Sequence, residues 1–126
     1  QIVIILLSAN TETGIFLMER VPELLHAVRA RLDGLGYLNV RLSTGNGSLG
    51  WPEYAPFDAI LVSAAAPRLP TPLVAQLAEG ARMAVPIGTP QAQMLTQIEK
   101  RRGELYQKEI ASCVFVPLIG EYSWPV

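Results

Sequence analysis

Between Gly45 and Pro67 the chain passes from a polar turn, Gly45-Asn46-Gly47, through an aromatic and proline-bearing loop into an apolar segment that ends in small residues. Ala59-Ile60-Leu61-Val62 shows no polar alternation. Such a run predicts a strand covered on both faces, the habit of parallel sheets flanked by helices. Ligands of these sheets bind just beyond the carboxyl ends of the strands. Ser63-Ala64-Ala65-Ala66-Pro67 follows the strand directly, and three alanines there predict room for something other than side chains.

The remaining segments fit the same architecture. Ile15-Phe16-Leu17-Met18 reads as a buried strand. Pro22 opens a helix, with Leu24, Leu25, Val28 and Leu32 at helical spacing and Gly34 and Gly36 closing it. Asn39 to Ser43 reads as a second strand, and Pro70 and Pro72 bracket the start of a helix through Leu77. Arg82 to Pro86 is a further strand. Met94 to Ile98 and Glu109 to Val116 form a hairpin around Arg101-Arg102-Gly103-Glu104. The order predicts one α/β domain over residues 1–126, with a parallel sheet and an antiparallel hairpin at its edge.

Composition excludes several classes. Half the 126 residues are apolar, 17% are charged, and the net charge is −1. No basic patch marks a nucleic-acid partner. The apolar run Gln1–Leu7 is too short to cross a bilayer and lacks the flanks of a signal peptide. The single cysteine, Cys113, cannot form an internal disulfide and suits a reducing, cytoplasmic setting. It reads as a small hydrophobe in a strand. His26 is the only histidine, which leaves no credible metal site and no Ser-His-Asp set. No phosphate-binding G-x-x-x-x-G-K-[ST] loop is present.

The motifs resemble one family, the protein-L-isoaspartate O-methyltransferases. Met18-Glu19-Arg20-Val21-Pro22-Glu23-Leu24 is similar to its I-E-R-x-P-E-L. The run Leu49-Gly50-Trp51-Pro52-Glu53-Tyr54-Ala55-Pro56-Phe57-Asp58 and the Ala64-Ala65-Ala66-Pro67 strand end match its L-G-W-P-E-Y-A-P-Y-D and A-A-A-P. Leu77 to Gly88 resembles L-x-x-G-G-R-x-x-x-P-x-G, and Val114 to Leu118 resembles R-F-V-P-L. The family turn G-D-G reads Gly45-Asn46-Gly47 here.

The resemblance implies a Rossmann-like methyltransferase sheet using S-adenosyl-L-methionine, with isoaspartyl peptides and proteins as substrates. It implies cofactor contacts at Glu19, Arg20, Asn46 and Gly47. Glu19 would accept hydrogen bonds from the ribose hydroxyls, and Asn46 would accept from the adenine amine without the charge of the family's Asp. It places Ser63, Ala64 and Val116 near the substrate, Val116 through its backbone. No catalytic base or metal is implied, because a carboxylate is already a nucleophile and positioning supplies most of the rate. The residues by themselves leave blander readings open: a solvated Glu19, a favoured Asn-Gly turn, a capping edge formed by Trp51, Tyr54 and Phe57, and a core valine at position 116.

The family's glycine-rich cofactor loop would precede Gln1, and its upstream active-site hydroxyl would lie earlier still. The expectation is an N-terminally truncated domain in which Gln1–Leu7 is helical. A strand between the first and third strands would be missing, two central edges would lie unpaired and prone to self-association, and the chain alone would be inert. The alternatives are an inactive remnant and a nucleotide-binding α/β protein of another class.

Overall fold

The computed structural model describes residues 5–8, 15–19, 22–37, 40–44 and 47–118. Its elements are β1 (Ile5–Ser8), β2 (Ile15–Glu19), α1 (Pro22–Gly34), β3 (Val40–Thr44), β4 (Phe57–Val62), α2 (Thr71–Ala75), β5 (Leu77–Gly88), β6 (Gln93–Arg101) and β7 (Glu104–Cys113). Two 3-10 turns, Gly47–Leu49 and Pro52–Tyr54, lie between β3 and β4. The seven strands form one sheet in the order β3-β2-β1-β4-β5-β6-β7.

The β2-α1-β3 unit forms as its sequence predicts. Pro22 begins α1 and Glu23 lies in its first turn, where a negative charge complements the helix dipole. Gly36, at φ +83, ends it. The Tyr37 N–H donates to the Leu32 carbonyl at 3.0 Å and the Gly36 N–H to Asp33 at 3.1 Å. This pairing satisfies the last carbonyls of a helix and needs the left-handed backbone that glycine adopts without cost. The half-buried Arg29 fastens α1 to β3 by donating to the Val40 carbonyl at 2.8 Å. β2 and β3 then pair in parallel, Ile15 opposite Val40 and Glu19 opposite Thr44.

The expected helix over Gln1–Leu7 does not form in its described part: Ile5–Leu7 belongs to a strand, and Gln1 to Ile4 fall outside the described residues. β1 lies between β2 and β4, antiparallel to both, with Ile5 opposite Met18 on one side and Val62 on the other. The two central edges expected to be unpaired are therefore paired within the chain. Two strands with open backbone groups outweigh the weak helical tendency of a short β-branched run, because each buried N–H and C=O must find a partner.

β4 also departs from expectation. It is not covered on both faces: Ile60 and Val62 are 2% exposed, whereas Leu61 between them is 49% exposed. The core occupies one face, where Phe57, Ile60, Val62, Met83, Val85 and Ile98 pack with Leu73 of α2 and with Leu118. On the opposite face Ala59, Leu61 and Ala84 line a shallow cavity with Arg82 and Gln97.

The helix expected through Leu77 ends at Ala75, since Phe57 pairs with Leu77 and draws that residue into β5. The hairpin holds as predicted. Arg101 pairs with Glu104 across Arg102 and Gly103, both at positive φ (+52 and +76), the turn whose twist matches that of the strands. Its second strand stops at Cys113, three residues short of the expected Val116.

Candidate cofactor and substrate site

β2 and β4 are each antiparallel to β1, so they are parallel to one another, and β3 and β5 share their direction. The carboxyl ends of four strands thus meet at one edge of the sheet. Glu19 is the last residue of β2 and pairs in register with Thr44, the last residue of β3. Gly47 opens the first 3-10 turn directly beyond this edge. Arg20 and Asn46 lie outside the described residues. The backbone thus sets the ends of β2 and β3 side by side, with the turn at Gly47 following β3.

The loop after β3 is held from below by one side chain. Gln76, 7% exposed, donates from Nε2 to the Leu49 carbonyl at 2.7 Å and accepts the Trp51 N–H on Oε1 at 2.8 Å. Its own carbonyl accepts the Phe57 N–H at 2.7 Å. The aromatic residues divide between roles. Phe57 is fully buried in the core, while Trp51 and Tyr54 meet edge to face at 5.3 Å in the loop. Arg41 of β3 lies 5.0 Å over the Tyr54 ring and donates to its hydroxyl at 3.1 Å.

Ser63 and Ala64 follow β4, Ser63 half-buried and Ala64 fully buried. The three alanines do not leave an open space, as expected, but are filled from within the chain. The Ala65 N–H donates to the Val116 carbonyl at 2.7 Å, and the Leu118 N–H donates to Ala65 at 2.8 Å. On the other side Ala66 bridges to β5, with its N–H on the Pro86 carbonyl at 2.9 Å and its carbonyl taking the Gly88 N–H at 3.0 Å. Small side chains are required because two backbone segments close on this one from either side. The same contacts put Val116 against Ala65, the residue that follows Ser63-Ala64. The Val116 carbonyl is occupied by Ala65. Its N–H has no partner among the described residues.

The segment carrying Val116 is fixed by a second buried glutamine. Gln93, 4% exposed, accepts the Phe115 N–H at 2.6 Å and donates to the Thr89 carbonyl at 2.8 Å. This side chain replaces the strand partner that β6 would otherwise supply, which is why β7 ends at Cys113. Beside it a cavity of about 630 Å³ opens between Gly88–Met94 and Ser112–Val114. Neither glutamine was singled out in the sequence, where a polar residue next to a strand gives no sign of burial. Cys113 ends β7 half-buried, as a small strand residue. Among the described residues no three His, Cys, Asp or Glu side chains gather as a metal site would need.

Parallel strands whose carboxyl ends lie along one edge of a mixed sheet, with α1 and α2 between strands, define an α/β fold. Residues 3–123 match the model of the protein-L-isoaspartate(D-aspartate) O-methyltransferase family. Relatives include protein-L-isoaspartate O-methyltransferase 1 of Geotalea uraniireducens, 45% identical over 112 residues, and the Pyrococcus abyssi enzyme, 40% identical over 121. These alignments cover 87% and 94% of this chain but 51% and 56% of the relatives, so the chain spans about half their length. A Plasmodium falciparum protein-L-isoaspartate O-methyltransferase solved with S-adenosyl-L-homocysteine superposes with a TM-score of 0.70 at 29% identity, over 81% of this chain and 50% of that one. A second solved protein-L-isoaspartate O-methyltransferase gives 0.74 at 26% identity, over 84% and 34%. The chain belongs to the protein-L-isoaspartate(D-aspartate) O-methyltransferase family.

Proposed function

We propose that this chain forms the adenosine-binding and peptide-facing walls of a protein-L-isoaspartate O-methyltransferase that repairs isomerised aspartyl residues in damaged proteins. The observation that carries the reading is the shared edge. Glu19 ends β2 and the turn at Gly47 follows β3, while beyond β4 Val116 is hydrogen-bonded to Ala65, the residue after Ser63-Ala64. S-adenosyl-L-methionine, when bound, supplies a methyl group on a sulfonium that a carboxylate oxygen can attack.

This chain's own residues bind and orient. The Glu19 carboxylate accepts the two ribose hydroxyls, with Arg20 next to it in sequence. The Asn46 amide oxygen accepts the amino group of the base, and Gly47 lets the backbone turn close to the ring. Ser63 and Ala64 border the reacting centre, and the Val116 N–H is the donor for an extended isoaspartyl peptide. No general base is required, since the attacking carboxylate is ionised at neutral pH. Its partners are isoaspartyl-bearing peptides and proteins, and its compartment is the cytoplasm, which the single Cys113 suits. Among the described residues no helix is long and apolar enough to cross a membrane.

The test is calorimetric titration of this chain and its Glu19→Ala variant with S-adenosyl-L-homocysteine. Hydrogen bonds to a charged acceptor contribute about 1.5–3 kcal/mol each, so the variant should bind at least tenfold more weakly. An unchanged dissociation constant would overturn the ribose assignment.

A further inference from the structure

We propose that Gln76 is the positioning residue of the cofactor turn, holding the loop after β3 so that the backbone at Gly47 presents a fixed edge to a heteroaromatic base bearing an exocyclic amine. The inference rests on the reading above and assigns a role to a residue whose amide is taken up by the loop backbone.

Gln76 is buried, and burying an amide is unfavourable unless its hydrogen bonds are met. Both halves of its amide are met by one short piece of loop backbone: the Leu49 carbonyl and the Trp51 N–H, two residues apart. The side chain thus acts as an additional peptide unit, pairing with the loop as a neighbouring strand would. The residue between, Gly50, sits at φ +67, and a Cβ there would lie 2.3 Å from Gln76 Oε1. Glycine and glutamine are therefore one device, since the amide fills the space a side chain at position 50 would take.

The link to the turn is direct. The Gly50 N–H donates to the Gly47 carbonyl at 3.0 Å. Gly47 is thus one hydrogen bond from the residue around which the glutamine closes. The Gln76 carbonyl also anchors Phe57 at the far end of the same loop. One residue fixes both the part of the loop that carries the turn and the point where β4 begins.

The experiment compares this chain with Gln76→Leu, which removes the amide, and with Ile98→Ala, which opens the core in β6 and leaves the Gln76 amide and its two loop partners in place. Two quantities are read below the melting transitions of all three: amide hydrogen exchange at Trp51 and calorimetric affinity for S-adenosyl-L-homocysteine. The Gln76 variant should lose protection at Trp51 and bind at least about tenfold more weakly, while Ile98→Ala stays within twofold of the parent despite its lower stability. If Gln76→Leu binds within twofold of the parent, or if Ile98→Ala loses as much affinity, Gln76 does not position the turn, although the cofactor reading stands. If the parent itself fails to bind, the cofactor reading falls and this inference with it.

Discussion

Gly50→Ala should be among the most damaging single-methyl changes in the described chain. Its φ of +67 places any L-residue in left-handed backbone, at a cost of about 1–2 kcal/mol. The new Cβ would stand 2.3 Å from Gln76 Oε1 and 2.7 Å from both Cδ and Nε2. A flexible side chain could ordinarily swing clear. Here it is buried and tied at both polar atoms, so moving it breaks two hydrogen bonds worth about 1 kcal/mol each, and more if their partners stay dry. The sum is about 3–5 kcal/mol, a large part of the roughly 5–15 kcal/mol that holds a domain folded.

Urea denaturation of four proteins checks the reasoning: the parent, Gly50→Ala, Gln76→Ala and the double variant. Gln76→Ala alone should cost about 2–3 kcal/mol through the same two bonds. With the amide gone, Gly50→Ala should cost only its backbone strain, about 1–2 kcal/mol. The cycle should therefore show a coupling of about 2 kcal/mol. Additivity within about 0.5 kcal/mol, the behaviour of independent sites, would refute the claim that the glycine and the glutamine share one space.

Other outcomes follow from adjoining parts of the structure. Asn46→Asp should tighten binding of S-adenosyl-L-homocysteine in a calorimetric titration, because a charged acceptor makes the stronger hydrogen bond to an amine; an unchanged affinity would leave position 46 as a turn residue only. Neighbours in β4 should differ sharply in thermal or urea melts. Ile60→Ala, at 2% exposure, should cost about 2–5 kcal/mol. Leu61→Ala, at 49% exposure, should cost less than about 1 kcal/mol, and equal costs would show that both faces of the strand are packed.

Much of this fold was legible in the chain because its signals are local. The proline at the start of α1 and the Gly36 that closes it need only their own neighbours to act. So does the Arg102-Gly103 turn between β6 and β7, since its backbone angles are set by the turn itself. The motifs at Glu19, Gly47, Ser63-Ala64 and Val116 could likewise be read in order along the chain. Glu19 ends β2 and Ser63-Ala64 follows β4, and these strands run in the same direction.

What tertiary structure decided are the features in which distant segments compete for the same backbone groups. Ile5–Leu7 is a strand because β2 and β4 stand open on either side of it, and nothing within the run announces those neighbours. Leu61 is half-exposed because the core gathers on the other face, which an unbroken apolar run cannot disclose. The three alanines look like room for a ligand, yet they admit Val116–Leu118 on one side and β5 on the other. Gln76 and Gln93 read as ordinary polar residues until burial leaves each amide one set of partners: Leu49 and Trp51 for the first, Thr89 and Phe115 for the second. A residue's propensity is written in its own chemistry, whereas a buried hydrogen bond is settled only when the whole chain has excluded water around it.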